Sequence, residues 1–149
     1  MKAYRLKQAT AADTDAVWAL WRACAADSRS LWNEEYPTED YLRFDRDHGY
    51  LYVMRGESGL VGSATLMPTD DLEEQGYPFA ETERVAVLTR LCVQPELQGQ
   101  GNGSALLALV EELAVQKGAR ALHFLCDVRN APALALYARA GYRRVCTGM

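Results

Sequence analysis

The sequence is short of the features that announce several common functions. It has two histidines, His48 and His123, far apart, and four cysteines with no CxxC pair among them. Structural zinc sites need clustered thiolates and imidazoles, so no metal is expected. No apolar run approaches the roughly 20 residues that span a bilayer. Lys2, Arg5 and Lys7 interrupt the region where a signal peptide would carry its apolar core. Basic residues are the minority, 16 against 20 acidic, for a net charge of −4, and nonspecific nucleic-acid binding usually rests on a basic patch. Repeats, linkers and low-complexity segments are also missing. These absences lead us to expect one soluble cytoplasmic domain over residues 1–149, with neither nucleic acid nor membrane as a partner. Of Cys24, Cys92, Cys126 and Cys146, three lie in apolar runs and read as small buried hydrophobes of a reducing compartment.

What is present is a chain of 149 residues, 49% apolar and 24% charged, long enough for a substantial core. Its organising stretch is Leu91 to Leu113. Leu91-Cys92-Val93 ends an apolar run that begins at Val85 and is broken only by Thr89 and Arg90, the pattern of a central strand. Pro95 stops it. Gln98-Gly99-Gln100-Gly101-Asn102-Gly103-Ser104 follows, and then Leu106, Leu109, Val110 and Leu113 recur at helical spacing. Lys117 and Gly118 suit a helix end.

A strand, a glycine-rich turn and a helix N-terminus form an anion cradle. Glycine lets the backbone approach a ligand, and the first helical N–H groups lack partners inside the helix. The competing reading is that the glycines only shape a turn and a tight strand–helix contact. A Walker loop needs a lysine after the glycines, and none follows. The dinucleotide fingerprint fails as well: from Gly99 its last glycine is Ser104, and from Gly101 it is Leu106. The spacing that fits is Q-x-x-G-x-G on Gln98, Gly101 and Gly103. This resembles the acyl-CoA loop of the GCN5-related N-acetyltransferase (GNAT) superfamily. Downstream, Asn130 followed by Ala133, Leu136, Tyr137, Gly141 and Tyr142 is similar to that superfamily's later motif, in the right order after the first. Together the two cover the C-terminal third; the N-terminal half agrees in pattern only.

The remaining elements are read from period and caps. A strand over Tyr4–Ala9 precedes a helix with N-cap candidates Thr10 and Asp13, carrying Val17, Leu20, Trp21 and Cys24 on one face. Thr38 caps a second helix over about Glu39–Asp47. Tyr50–Met54 and Leu60–Leu66 form a hairpin about Glu57-Ser58-Gly59. Pro68–Glu83 is acidic and irregular, a lid or a solvated connection. Ala121–Val128 reads as a strand, Ala131–Ala140 as a helix begun by Pro132, and Tyr142–Cys146 as a last strand. The fold class is α/β (α+β), a GNAT-type mixed twisted sheet flanked by helices in the order β-α-α-β-β-β-α-β-α-β. The superfamily usually closes with one more strand, which this chain is expected to lack. An open edge invites pairing, so a homodimer is one way to complete it.

The resemblance implies an acetyl-CoA-dependent N-acetyltransferase that moves an acetyl group to a primary amine of a small molecule or peptide by direct attack. It implies cofactor contacts from Leu91, Cys92 and Val93, whose backbone would receive the pantetheine arm, with an N–H near Cys92 facing the thioester oxygen. Gln98, Gly99, Gln100, Gly101, Asn102, Gly103 and Ser104 would hold the pyrophosphate. Asn130 would touch the coenzyme arm, and as a residue type it is equally a helix cap. Tyr137, two helical turns on, is the implied general acid, since a phenol with an ordinary pKa of about 10 holds its proton at neutral pH. By spacing alone its ring would be read as core. Many members carry a strand glutamate as base; here Val87 stands at that position. The base is then a water, Glu83 or Asp127. Trp32, Tyr36, Tyr77 and the acidic run Asp70–Glu74 suit an ammonium-bearing acceptor, or are simply a solvated loop with half-buried rings. The alternative function is a catalytically idle acyl-CoA sensor on the same fold.

Overall fold

The computed structural model describes residues 3–27, 30–68, 85–123 and 130–142. Five strands form one sheet in the order β1-β2-β3-β4-β5. They are β1 (Arg5–Gln8), β2 (Leu51–Gly56), β3 (Gly59–Met67), β4 (Val85–Val93) and β5 (Ala121–His123). The first four are antiparallel neighbours, and β5 joins β4 in parallel through Val85–Val87 and Ala121–His123. Among the described residues four α-helices accompany them: α1 (Thr14–Ala26), α2 (Glu39–Asp47), α3 (Asn102–Gln116) and α4 (Ala131–Arg139). The order is the expected one through α4. The last expected strand, Tyr142–Cys146, lies outside the described residues beyond its first residue, as do the second part of the Ala121–Val128 strand and nearly all of the acidic Pro68–Glu83 segment.

Local chemistry sets the element boundaries. The Asp13 carboxylate accepts from the Thr10 N–H at 2.8 Å and from its hydroxyl at 3.3 Å, around a short 3-10 turn over Ala11–Asp13, so Thr10 caps that turn and Asp13 is the N-cap of α1. Those bonds and the Arg55 guanidinium at 2.8 Å hold the Asp13 carboxyl below its ordinary pKa, the Thr10 amide contributing most. Strands β2 and β3 meet across Glu57-Ser58, the hairpin read from the sequence. At the end of α3, Lys117 and Gly118 take the place of the cap.

Two apolar layers cover the sheet. Residues of α1 and α2, among them Val17, Leu20, Trp21, Cys24 and Leu42, pack with Leu51, Val53 and Cys92. On the other side Leu106, Leu107, Val110 and Ala114 of α3 pack with Met54, Val61, Leu66, Ala86, Leu88 and Val93, and Leu136, Tyr137 and Tyr142 lean on this layer. Each wholly buried Leu or Val contributes roughly 1.5–3 kcal/mol, so α3 is fixed firmly against β4 by its own face. Among the described residues no helix is long and apolar enough to cross a membrane, and no trio of His, Cys, Asp and Glu groups is placed to hold a metal.

Candidate active site

The site is built where β4 runs into α3. Between them lie a 3-10 turn over Pro95–Leu97 and the glycine loop. Gly99 and Gly101 have φ of +75° and +85°, and added Cβ atoms would meet nothing within 4 Å. The glycines are therefore required by backbone conformation and not by crowding. Gly101 is the N-cap of α3. No side chain caps that end and no acidic residue lies in its first turn, so the N–H groups of Asn102, Gly103 and Ser104 face outward with the positive end of the helix dipole. Such an end fits a diphosphate.

The loop's side chains are mostly committed to shaping it. Gln98 Nε2 donates to the Val93 carbonyl at 3.0 Å, and Gln100 Nε2 donates to the Glu96 carbonyl at 3.1 Å. Asn102 is buried: its Nδ2 donates to the Leu97 carbonyl at 2.8 Å and its Oδ1 accepts from the Tyr4 hydroxyl. What Asn102 can offer a ligand is thus its backbone N–H. Gly103 rests against Leu136 of α4, and Ser104 is exposed in the first helical turn.

Strand β4 carries a feature that sequence reasoning missed. Ser63 pairs with Cys92 and Thr65 with Thr89, so β4 has two residues, Arg90 and Leu91, opposite the single Ala64. Arg90 has a φ of +48°, a left-handed conformation in the middle of a strand. The extra residue changes which way the chain faces. Leu88 packs towards α3, Thr89 and Arg90 both point to the α2 side, and Leu91 and Val93 return to the α3 layer while Cys92 faces α1. Main-chain directions follow. The Gln94 N–H donates to the Val61 carbonyl at 2.8 Å, and the alternation of the ladder then directs the N–H of Cys92 to β3 and those of Leu91 and Val93 away from it. The outward donors on this strand are therefore Leu91 and Val93. The Val93 carbonyl is occupied, by Gln98 and by the Cys24 thiol at 3.3 Å.

The sequence signal for the bulge was present: Thr89 and Arg90 are adjacent polar residues in an otherwise apolar strand. Arg90 Nε and one terminal nitrogen each donate to Asp45 of α2 at 2.7 Å, and its other terminal nitrogen donates to the Tyr36 hydroxyl at 3.2 Å. Its guanidinium carbon lies 4.9 Å from the Tyr41 ring centre. Asp45 has no exposed surface and also accepts from the Thr65 hydroxyl at 2.7 Å. Burial works against the Arg90 charge, but Asp45 and then Tyr36 more than offset it, so its pKa lies above the ordinary value. The aromatic residues continue from there, with Trp21, Trp32, Tyr36 and Tyr41 in successive edge-to-face contacts at 6.1, 6.4 and 5.0 Å. Trp32 and Tyr36 were anticipated beside the acceptor; Tyr41 was not. Tyr77 and Asp70–Glu74 lie outside the described residues.

Cys92 is buried, with the Ser63 hydroxyl at 3.5 Å, and that hydroxyl in turn accepts from Trp21 Nε1 at 3.0 Å. Burial first, and then the neighbouring Cys24 thiol, push the Cys92 pKa well above its ordinary value. Asn130 is the N-cap of α4, its Oδ1 accepting from the Ala133 N–H at 3.2 Å. Tyr137 is half-buried, and its ring meets Tyr142 edge-on at 6.5 Å, so the core reading of its ring has support. Val87 is buried within β4, while Glu83 and Asp127, the named bases, lie outside the described residues.

The Acetyltransferase (GNAT) family profile matches residues 14–142. The chain is 37% identical over 132 residues to mycothiol acetyltransferase of Kineococcus radiotolerans, covering 87% of this chain and only 38% of that protein's length. It is 30% identical over 155 aligned positions to aminoalkylphosphonate N-acetyltransferase of Salmonella typhimurium, covering 97% of this chain and 88% of the relative. Among solved structures, aminoglycoside N-acetyltransferase AAC(6')-Iy in complex with CoA superposes with a TM-score of 0.73 over 100% of this chain and 93% of the other, at 11% identity. The ribosomal-protein-S18-alanine N-acetyltransferase of Escherichia coli does so with a TM-score of 0.69 over 93% and 77%, at 19% identity. At those identities the two structures speak for the fold alone. From a strand that bulges beside an open helix N-terminus to a profile spanning nearly the whole chain, the observations agree: this protein belongs to the GNAT family of acetyltransferases.

Proposed function

We propose that the protein transfers the acetyl group of acetyl-CoA to a primary amine of a small molecule or peptide, by direct attack while both substrates are bound. The observation that carries this is the uncapped N-terminus of α3, opened by Gly99 and Gly101 at the end of a strand whose Leu91 and Val93 N–H groups point outward. Acetyl-CoA supplies an activated thioester. The Gly99–Ser104 backbone binds its diphosphate, the Leu91–Val93 edge orients the pantetheine, and Asn130 meets the arm from the head of α4. An outward N–H at Leu91 stabilises negative charge building on the carbonyl oxygen.

As the amine attacks, a C–N bond forms and the C–S bond breaks; Tyr137 gives a proton to the departing sulfur, and the amine's proton leaves through a water, Glu83 or Asp127. Cys92 does not carry the acetyl group. A thiol whose pKa is raised by burial is a poor nucleophile, and no base is paired with it among the described residues.

The acceptor side favours a cation. Trp32, Tyr36 and Tyr41 offer ring faces and edges, and the positive charge of Arg90 is cancelled by Asp45. Small-molecule amines come first, because a relative 30% identical and matched over 88% of its length is named for an aminoalkylphosphonate.

The test is CoA release with acetyl-CoA and a panel of aminoalkylphosphonates, aminoglycosides, polyamines and N-terminal peptides. Turnover with at least one amine, retained within about threefold by Cys92→Ala, is expected. Tight CoA binding with silence across the panel would favour the idle sensor, and a dead Cys92→Ala variant that still binds CoA would replace direct transfer by a covalent route.

A further inference from the structure

Arg90 stands apart from every role discussed so far. It is a charged residue in the central strand, its side chain is 8% exposed, and it adopts a backbone conformation that side-chain-bearing residues rarely take. Nothing in the local sequence favours a left-handed residue there. The conformation persists because the side chain is held at its far end. Two parallel bonds of 2.7 Å tie it to Asp45, the Tyr36 hydroxyl takes a third donor, and Tyr41 lies against the guanidinium. Asp45 is itself fixed by Thr65 of β3, the strand facing the bulge. The clamp thus joins α2, β3 and β4 around one strained residue.

The charge pairing also excludes a competing role. With Asp45 opposite and all three nitrogens engaged, Arg90 is not available to bind an anionic acceptor or a phosphate. What remains for it to control is the strand itself. The peptide joining Arg90 to Leu91 lies inside the bulge, where two residues oppose one, and its N–H is that of Leu91.

We propose that Arg90 is a positioning residue. Clamped by Asp45 and Tyr36, it holds the β4 bulge in its left-handed conformation and so aims the Leu91 N–H at the acyl carbonyl. This rests on the acetyl-transfer reading given above, and its test separates the two.

Arg90→Ala alone would strand a buried carboxylate and risk unfolding. The informative comparison is therefore between two neutral double variants, Arg90→Ala/Asp45→Asn and Arg90→Gly/Asp45→Asn. Both lose the ion pair and the Tyr36 contact equally. They differ in one respect: glycine accepts a φ of +48° freely and alanine does not. The Ala double should lose kcat by about 30- to 100-fold with the KM for acetyl-CoA within about twofold of wild type. The Gly double should recover about tenfold of that loss. In 15N-labelled protein the Leu91 amide resonance should move away from its wild-type position in the Ala double and return towards it in the Gly double.

Equal kcat and equal Leu91 shifts in the two doubles would overturn the proposal, as would a rise in KM with kcat unchanged. If the wild type gives no heat with CoA and no turnover, the acetyl-transfer reading fails on its own account, and the Leu91 shifts still decide whether Arg90 sets the bulge.

Discussion

The carbonyl oxygen of Cys92 occupies the space where a side chain on Gly62 would begin: a Cβ there would lie 2.5 Å from it, and 3.2 Å from Leu106 Cδ2. Three elements, β3, β4 and α3, converge on this missing atom. Gly62→Ala must push β4 away from β3 or α3 off the sheet, beside the strand segment proposed to receive the coenzyme. The overpacking cost is about 1–3 kcal/mol. Thermal melting of the variant should show a lower midpoint, and CoA affinity by calorimetry should fall with it.

Gly101 makes a different demand, since its φ of +85° at the head of α3 is the constraint and the space around it is free. Gly101→Ala should therefore fold with little loss of stability but with the loop shifted to relieve roughly 1–2 kcal/mol of strain. The expected result is a CoA Kd raised about tenfold and a melting midpoint lowered by only a few degrees. A variant that binds CoA normally would remove the loop from the binding site.

For Tyr137 the two readings separate by substitution. Tyr137→Phe keeps the ring that meets Tyr142 and removes the hydroxyl. As general acid its loss should cost kcat about 10²- to 10⁴-fold while CoA affinity and melting midpoint stay near wild type. A kcat within twofold of wild type would assign the ring to packing alone.

Tyr142 gives the protein an alkaline liability. Its hydroxyl donates to Glu111 at 2.6 Å, and burial first, then the Glu111 carboxylate, raise its pKa above the ordinary tyrosine value. Above pH of about 10 the unfolded chain releases this proton while the folded chain keeps it, so the folded state binds more protons and stability falls as pH rises. Below that the contribution is fully present. Wild type should lose melting temperature more steeply than Tyr142→Phe between about pH 10 and 11; parallel slopes would contradict the assignment.

Much of this is legible in the sequence. Val85–Val93 was bounded correctly because a buried strand between Pro95 and polar residues leaves little choice, and α2 because Thr38 and Gly49 bracket it. The glycine loop could be read because its requirement is local: φ above zero and a helix start. The Arg90–Asp45 clamp could not. Its partners are 45 positions apart, and Asp45 sits in a helix that is otherwise strongly polar, where nothing marks one carboxylate as the buried one. Which N–H near Cys92 turns outward is hidden for the same reason, since peptide direction depends on ladder register and one extra residue inverts it.

The bulge also bears on how β4 accommodates an additional residue. Imagine β4 with Arg90 excised. Thr89 would still lie across from Thr65 and Cys92 across from Ser63, and Leu88, Leu91 and Val93 would still enter the layer beneath α3. The extra residue is thus absorbed without changing which neighbouring residues of β4 face the interior, while its own side chain makes it the partner of a buried carboxylate. Pairing with β3 alone does not call for a ninetieth residue; what holds its charge inside the molecule is the counter-ion on α2, 45 positions earlier in the chain.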